Sequence, residues 1–369
     1  MRRNIITVFI SVLLVGILTF SCQKDSTDNN VSTPVQYDNT PYILQFGEFE
    51  APPIAPDNPL TVEGVKLGRM LFYEKKLSKD GSQSCAGCHR QQHAFSDTAT
   101  FSIGVEGKEG KRQAMGVFNM AWHQNEFFWD GRAHLLRDQS LKPIQDPLEM
   151  NETLENVVAK LEADQAYRDQ FIRAFGSDDI TSEKMALAME QFMNSIVSTE
   201  SKYDRYLRGE VVLSAAEERG RKLFFTEFNP GFPDLSGADC AHCHAGRTFE
   251  NDLYMNNGLD TDGSLTDKGR EEATQDPSDR GRFKVTSLRN IAVTPPYMHD
   301  GRFKTLEEVV AHYNSGIQPS ATVDPALEYT RVSGGLKLTA QDQADLVSFL
   351  KTLTDEILLT NPEYSNPFE

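Results

Sequence analysis

The chain has 369 residues, 39% of them hydrophobic and 25% charged, which is typical of globular proteins and unlike disordered or membrane-embedded chains. Its 37 basic and 54 acidic residues give a net charge of −17, so nucleic acid is not an expected partner. The length predicts about two domains. Five cysteines, an odd number, argue against a simple disulfide framework.

The first segment is typical of an export signal. Two arginines precede an apolar run over residues 5–20, which is too short for a confident membrane span. Cys22 follows, where bacterial lipoproteins carry their acylated cysteine. The residues before it depart from the usual lipobox, so an uncleaved anchor stays an alternative. We predict a lipoprotein-type signal peptide over residues 1–21, a flexible tether over residues 22–48, and a lipid-anchored protein on the periplasmic side of a membrane.

Two copies of the motif Cys-x-x-Cys-His follow, 155 positions apart. Two thiols at this spacing can bond to the vinyl groups of one haem, and the adjacent histidine then reaches the iron. A Cys₄ zinc site is the alternative, but zinc-binding pairs normally lie within about 20 residues of each other. Covalent haem also agrees with export, because haem c is attached outside the bacterial cytoplasm. The predicted haem-binding residues are Cys85, Cys88, His89, Cys240, Cys243 and His244.

The sequences around the motifs are repeated as well, which predicts two homologous domains rather than a short-period solenoid. We place the N-terminal domain at residues 49–208 and the C-terminal domain at residues 209–357, each with one haem. The repeated strings are Gly-Arg-x-Leu-Phe at residues 68–72 and 220–224, and Asp-Gly-Arg at residues 130–132 and 300–302.

Apolar residues with helical spacing predict an all-α fold of two c-type cytochrome domains, each holding one covalent haem. We expect one helix over residues 182–207, with its methionines in the core, and a long loop over residues 256–279. Thr305 and Thr339 are predicted to begin helices with capping boxes. Other helical patterns cover residues 154–161, 306–313 and 346–353.

These motifs, with FWDGR at residues 128–132 and PYMHDGR at residues 296–302, resemble those of the bacterial dihaem cytochrome c peroxidase family. The resemblance extends from about Leu60 to Leu353. It implies an N-terminal haem that reacts with hydrogen peroxide and a C-terminal haem that relays electrons. The implied electron donor is a small c-type cytochrome or a copper protein, and a homodimeric assembly is left open.

The resemblance also implies three catalytic residues. Cleaving peroxide requires a group that moves a proton between its two oxygens, and a carboxylate with a raised pKa can do this. Glu149 matches the family's proton-shuttling glutamate, and Gln139 matches the glutamine that orients peroxide. Trp129 is expected between the haems as an electron bridge. The alternatives are that Glu149 is a solvated loop carboxylate and that Trp129 is a core residue.

Two positions depart from the peroxidase pattern. Val105 stands where many family members carry a removable histidine, so the N-terminal haem is expected to keep an open face. Tyr313 stands where standard peroxidases carry a methionine ligand, and a phenolate ligand would lower the reduction potential of the C-terminal haem. The alternative for Tyr313 is a core tyrosine. The competing ligands are His93 and His123 on the N-terminal haem, which we interpret as a near-haem surface and a loop histidine, and Met298 and His312 on the C-terminal haem.

The family's interdomain calcium implies one further site. Thr294 and Pro296 match the residues that donate backbone carbonyls, and Gln113 stands where the family has an asparagine. We therefore expect calcium beside the two haems.

Three functions follow from these residues. The first is an enzyme, a peroxidase that reduces hydrogen peroxide to water with electrons from an external donor. The alternative is a MauG-like oxidase that draws electrons from a protein or other large substrate through high-valent haems, which Val105 and Tyr313 favour. The third is a non-catalytic dihaem electron carrier, which the open face at Val105 disfavours.

Overall fold

The computed structural model describes residues 34–369. This part of the chain is mostly helical, as predicted, and its two-stranded sheet pairs Tyr254–Met255 (β1) with Phe283–Lys284 (β2) in antiparallel register. The helices are Val62–Tyr73 (α1), Cys85–Cys88 (α2), Leu136–Gln145 (α3), Leu154–Glu162 (α4), Gln165–Phe175 (α5), Ser182–Ser195 (α6), Lys202–Leu207 (α7), Ala215–Phe225 (α8), Glu271–Thr274 (α9), Leu306–Ala311 (α10), Pro325–Val332 (α11) and Ala340–Lys351 (α12).

The repeated Gly-Arg-x-Leu-Phe string produces the same helix contact twice, since α1 packs against α6 and α8 packs against α12. A β-carbon on Gly68 would lie 1.9 Å from the backbone oxygen of Ala188, and one on Gly220 would lie 1.9 Å from that of Asp345. Each glycine therefore allows two helix backbones to meet closely. The phenylalanines of the strings pack edge-on against equivalent partners, in the pairs Phe72–Phe192 and Phe224–Phe349.

Two hydrophobic clusters organise residues 34–369. The first is built mainly from residues 60–196 and the second from residues 203–353. Chain beyond residue 357, which the predicted domains leave unassigned, returns to the first cluster through Leu358 and Tyr364. The predicted domain boundaries stay a prediction, and Tyr203, which they assign to the N-terminal domain, packs in the second cluster.

The prediction of a single helix over residues 182–207 is wrong, because the structure has two helices in this range, joined by extended chain. Helix α6 ends at Ser195, and α7 begins after Ser201, which caps it in a capping box with Asp204. Asn119, which is distant in the sequence, keeps this connecting segment extended. Its side chain accepts from the N–H of Ser198 at 2.8 Å and donates to the carbonyl of Ser198 at 3.1 Å. The capping boxes predicted at Thr305 and Thr339 are both present.

The N-terminal part of the described chain lies along the first cluster. The N–H of Tyr42 donates to the carbonyl of Leu60 at 3.0 Å, and the N–H of Asp38 donates to that of Arg173 at 2.9 Å. This portion of the predicted tether is therefore bonded to the fold. The predicted signal peptide and Cys22 lie outside the described residues. No helix within residues 34–369 has the length and apolarity that a membrane span requires.

Two further expectations concern the core and a loop. The methionines at positions 185, 189 and 193 are buried in the first cluster, as predicted. The segment over residues 256–279 is mostly irregular, but it contains the short helix α9.

Candidate functional site

The first Cys-x-x-Cys-His motif forms a single helical turn beside a large cavity. Helix α2 places Cys85 and Cys88 one turn apart, and the N–H of His89 donates to the carbonyl of Cys85 at 2.8 Å. The Nδ1 of His89 lies 2.8 Å from the backbone oxygen of Phe95, which leaves Nε2 as the nitrogen that can bind a metal. Cys88 and His89 line a cavity of about 740 Å³, the first cavity.

The second motif forms a 3₁₀ turn beside a smaller cavity of about 270 Å³, the second cavity, which its two cysteines and His244 line. The N–H of His244 donates to the carbonyl of Cys240 at 3.0 Å, and its Nδ1 lies 3.2 Å from the backbone oxygen of Phe249. Burial lowers the pKa of His244 to about 4. The imidazole is therefore neutral near pH 7, as a metal ligand must be.

The residues at both cavities fit a covalent haem. All four motif cysteines are free thiols, so each motif offers two groups able to form thioether bonds and one imidazole able to bind iron. Cys240 and Cys243 both line the second cavity, whereas only Cys88 of the first pair lines the first cavity. Residues 34–369 hold no cluster of three or more His, Cys, Asp or Glu side chains arranged around a metal ion. The zinc alternative therefore finds no support in this part of the chain.

Gln139 and Glu149, predicted to act on peroxide, both line the first cavity with His89. Gln139 lies on α3, and Glu149 follows the turn after that helix, where its N–H donates to the carbonyl of Asp146 at 3.0 Å. Burial raises the pKa of Glu149 to about 7, the charge of Asp146 adds to the rise, and Arg132 opposes it. A carboxyl group with this pKa can gain and lose a proton near neutral pH.

Val105 holds Glu149 through the backbone, because its N–H donates to the carbonyl of Glu149 at 2.8 Å. The first cavity is lined by its neighbours Ile103 and Gly104, but Val105 is not among the lining residues. A β-carbon on Gly104 would lie 2.1 Å from the backbone oxygen of Leu148, so glycine is needed for this close approach.

Trp129 lines both cavities. Its indole Nε1 donates to the backbone oxygen of Gln113 at 2.8 Å, and its own carbonyl accepts from the N–H of Lys284 at 2.8 Å. The first bond holds the indole ring and the second holds the backbone of Trp129, and its role as an electron bridge stays a prediction.

The two Asp-Gly-Arg strings form the same turn. Phe128 and Met298 begin the turns with φ of 71° and 74°, and the glycines have φ of 76° and 61°. In both turns the arginine N–H lies 3.2 Å from the aspartate carboxylate. Trp129 and His299 therefore occupy equivalent positions, and His299 stacks on Phe283 with ring centroids 3.7 Å apart.

Tyr313 points inward, as its spacing predicts, and lines the second cavity together with Met298. It lies in a π-helical turn over His312–Gly316 that continues α10. The Nδ2 of Asn257 lies 3.4 Å from the Tyr313 hydroxyl and 3.3 Å from the Met298 sulfur, so both candidate ligands face the same amide. The third competitor, His312, is bonded through Nε2 to the Asn257 carbonyl at 3.0 Å and is absent from the lining residues.

The three residues expected at calcium, Gln113, Thr294 and Pro296, all line the second cavity. The side-chain NH₂ of Gln113 donates to the backbone oxygen of Asp97 at 3.0 Å and to the Ser96 hydroxyl at 3.1 Å. The amide oxygen is thus the atom that Gln113 can offer to a cation. The calcium site stays a prediction.

His123 has a different environment from the one predicted for a loop histidine. It lines both cavities, and its ring nitrogens lie 3.4 Å from a Glu250 oxygen and 3.3 Å from an Asp252 oxygen. His93 lines neither cavity. Sequence reasoning missed this cluster because Asp252 lies 129 positions from His123, and no local spacing connects them.

Comparisons with known proteins agree with this arrangement. A family model described as di-haem cytochrome c peroxidase matches residues 62–212. The methylamine utilization protein MauG of Methylophilus methylotrophus is 31% identical over 316 residues, which cover 85% of this chain and 89% of MauG. The cytochrome c551 peroxidase of Nitrosomonas europaea is 32% identical over 323 residues, which cover 85% of this chain and 86% of the peroxidase.

Solved structures show the same similarity. A MauG-like protein associated with microbial copper homeostasis is 36% identical, with a TM-score of 0.79, covering 89% of this chain and 100% of that protein. The diheme peroxidase BthA of Burkholderia thailandensis is 22% identical and shares the fold, with a TM-score of 0.68, covering 90% of this chain and 98% of BthA.

Proposed function

The chain belongs to the di-haem cytochrome c peroxidase family, and we propose that it reduces hydrogen peroxide to water with electrons from an external donor. The observation that carries this proposal is the placement of Glu149 and Gln139 in the first cavity with His89. Cys85, Cys88 and His89 would hold one haem c, and Cys240, Cys243 and His244 the other. Each haem, when bound, supplies an iron that exchanges electrons, and the N-terminal one would also bind peroxide.

Glu149 moves the proton in this proposal. Its carboxylate accepts a proton from one peroxide oxygen and returns it to the other, which then leaves as water. The raised pKa matches this task because neither protonation state is strongly preferred near pH 7. Gln139, in the same cavity, orients the peroxide through its amide. The balanced reaction consumes one hydrogen peroxide, two electrons and two protons and yields two waters.

Trp129 connects the two cavities for electron transfer. It lines both of them, and the hydrogen bond from its Nε1 to Gln113 fixes the ring between them. Electrons from a small c-type cytochrome or a copper protein would enter at the C-terminal haem, pass Trp129 and reach the peroxide. We place the two haem domains at residues 49–208 and 209–357.

The proposed cellular location of the enzyme rests on the N-terminal sequence. Export through the signal at residues 1–21 and acylation at Cys22 would place it on the periplasmic side of a membrane. Calcium held by Gln113, Thr294 and Pro296 would join the two cavities at their common wall. A homodimer is compatible with this proposal but is not needed for it.

A MauG-like oxidase is the second candidate, and the observation that favours it is Tyr313 on the wall of the second cavity. A tyrosinate ligand stabilises oxidised iron and would slow reduction by a cytochrome donor. Oxidising equivalents would then be taken from a protein or other large substrate.

One experiment separates the candidates. Peroxide is added to the ferric holoprotein, and the visible and near-infrared spectra are followed with and without a reduced small c-type cytochrome. Rapid oxidation of the cytochrome supports the peroxidase. A long-lived oxidised state with little cytochrome turnover supports the MauG-like oxidase, and no reaction with peroxide would indicate a non-catalytic electron carrier and contradict both.

A further inference from the structure

A buried charged cluster adjoins the wall between the two cavities. We call it the His123 cluster: His123, Glu250, Asp252 and Lys284. The side chains of His123 and Glu250 are 7% and 4% exposed, and that of Lys284 is 2% exposed. His123 and Lys284 line both cavities, and Glu250 lines the second cavity. Charges buried at this position will respond to any charge that enters either cavity.

The His123 cluster has more acidic groups than fixed cations. The permanent cation within the cluster is the Lys284 ammonium, which contacts Asp252 and donates to the backbone oxygens of Asn125 and Glu126. With both carboxylates ionised and His123 neutral, the cluster carries one net negative charge. One added proton makes it neutral.

Glu250 is the group that most needs this proton. Its Oε2 is buried and has no hydrogen-bond partner among the described residues. Arg289, the other cation near Glu250, uses its guanidinium in two hydrogen bonds to Asp204, at 2.8 Å and 2.7 Å. Burial raises the pKa of Glu250 and Asp252 adds to the rise, while His123, Lys284 and Arg289 oppose it. An unpaired buried carboxylate is costly, and a negative charge that enters the second cavity raises this cost, so the added charge favours a proton shared by His123 and Glu250.

We infer that the His123–Glu250 pair takes up one proton from solvent when the second cavity receives an electron, and releases it when the electron moves on. The inference rests on the proposed function, because it requires a redox centre in the second cavity. The electron comes from the external donor and the proton from water, so the buried region gains no net charge. When the electron has moved on to peroxide, the released proton returns to solvent. The two protons consumed in forming water are counted separately.

The geometry fits proton exchange better than metal binding. His123 lies between two carboxylates at 3.4 Å and 3.3 Å, so its protonated form pairs with both. The Lys284 ammonium already contacts Asp252 and would repel a metal cation. Residues 34–369 contain no metal-type cluster that includes these groups.

The test is a redox titration of the holoprotein, followed by the haem spectra, at several pH values on both sides of neutrality. One proton taken up per electron changes the reduction equilibrium tenfold per pH unit, or about 59 mV for one electron. We expect the midpoint potential of the C-terminal haem to fall with rising pH in the wild type, and this slope to be lost in Glu250→Gln. A wild-type potential independent of pH would overturn the inference.

Glu190→Gln is the matched control. The Glu190 side chain is 7% exposed and pairs with Arg137 at 2.9 Å, but it lines neither cavity. This variant should keep the wild-type slope. Loss of the slope in both variants would show that it does not arise at Glu250 and would overturn the assignment.

A second measurement does not depend on how the variants fold. Reduction of wild-type protein in weak buffer with a pH indicator should take up about one proton per electron at the C-terminal haem, and uptake of none would overturn the inference. A potential independent of pH with normal peroxide turnover defeats only this inference. Absence of haem from the second motif would defeat the proposed function together with it.

Discussion

Trp129 and His299 are joined through the backbone of a single residue, Gln113. The carbonyl of Gln113 accepts from the indole Nε1 of Trp129 at 2.8 Å, and its N–H donates to the carbonyl of His299 at 2.8 Å. Because Trp129 and His299 occupy equivalent positions in two copies of one turn, this residue links the two halves of the repeat. The Trp129 ring is therefore held at the common wall of the cavities.

Replacing Trp129 should slow electron transfer between the cavities without abolishing the reaction with peroxide. We expect Trp129→Phe to lower the rate at which the C-terminal haem responds to peroxide by about tenfold or more, equivalent to ~1.4 kcal/mol in the barrier. Rapid-mixing spectroscopy measures this rate. The matched control is Trp122→Phe, because Trp122 is the other tryptophan of the chain and lines neither cavity. Equal rates in the two variants would contradict the bridge.

Replacing Glu149 should impair peroxide cleavage directly. Glutamine has nearly the same size but cannot accept and return a proton, so Glu149→Gln should slow cleavage by a factor on the order of 10²–10⁴. Stopped-flow mixing of the ferric protein with peroxide measures the rate. Glu155→Gln is the control, since Glu155 is an exposed carboxylate on α4, and it should react like the wild type. Wild-type rates in Glu149→Gln would refute the assignment.

The pH dependence of peroxide cleavage should follow Glu149. Cleavage needs the ionised carboxylate, so the rate should fall as the pH drops through about 7. Asp146 raises this pKa and Arg132 lowers it. The acid limb of the rate profile should therefore move to lower pH in Asp146→Asn and to higher pH in Arg132→Met. Shifts in the same direction would show that another group controls the profile.

Features of the site that depend on local spacing could be predicted from the sequence. Both Cys-x-x-Cys-His motifs and the inward side of Tyr313 were of this kind, whereas Glu149 and Gln139 were predicted only from the resemblance to the family. The break after Ser195 could not be read locally, because Asn119 holds the extended chain from 79 positions away. The His123 cluster could not be predicted for the same reason, because His123 and Asp252 lie 129 positions apart and only the fold brings them together.

The repeated glycines should be the least replaceable residues of the helix pairs. A methyl group on Gly68 or Gly220 would meet backbone, which cannot rotate away, so Gly68→Ala and Gly220→Ala should each destabilise the protein by about 1–3 kcal/mol. Denaturant or thermal unfolding of the holoprotein measures the change. Gly263→Ala is the control, because its β-carbon would meet only the Thr261 hydroxyl at 4.0 Å. Equal stability of all three variants would contradict the close packing.

Tyr313 and Met298 are alternative ligands for the iron of the C-terminal haem, since both face the same Asn257 amide. The two alternatives lead to different expected spectra and reduction potentials. If Tyr313 binds the iron, the wild type shows no methionine–iron charge-transfer band, and Tyr313→Phe raises the reduction potential by removing an anionic ligand. Met298→Leu then leaves the spectrum and the potential close to those of the wild type. Near-infrared spectra and redox titration of the three proteins measure this. A methionine–iron band in the wild type that disappears in Met298→Leu would assign the ligand to Met298 and leave Tyr313 as a wall of the cavity.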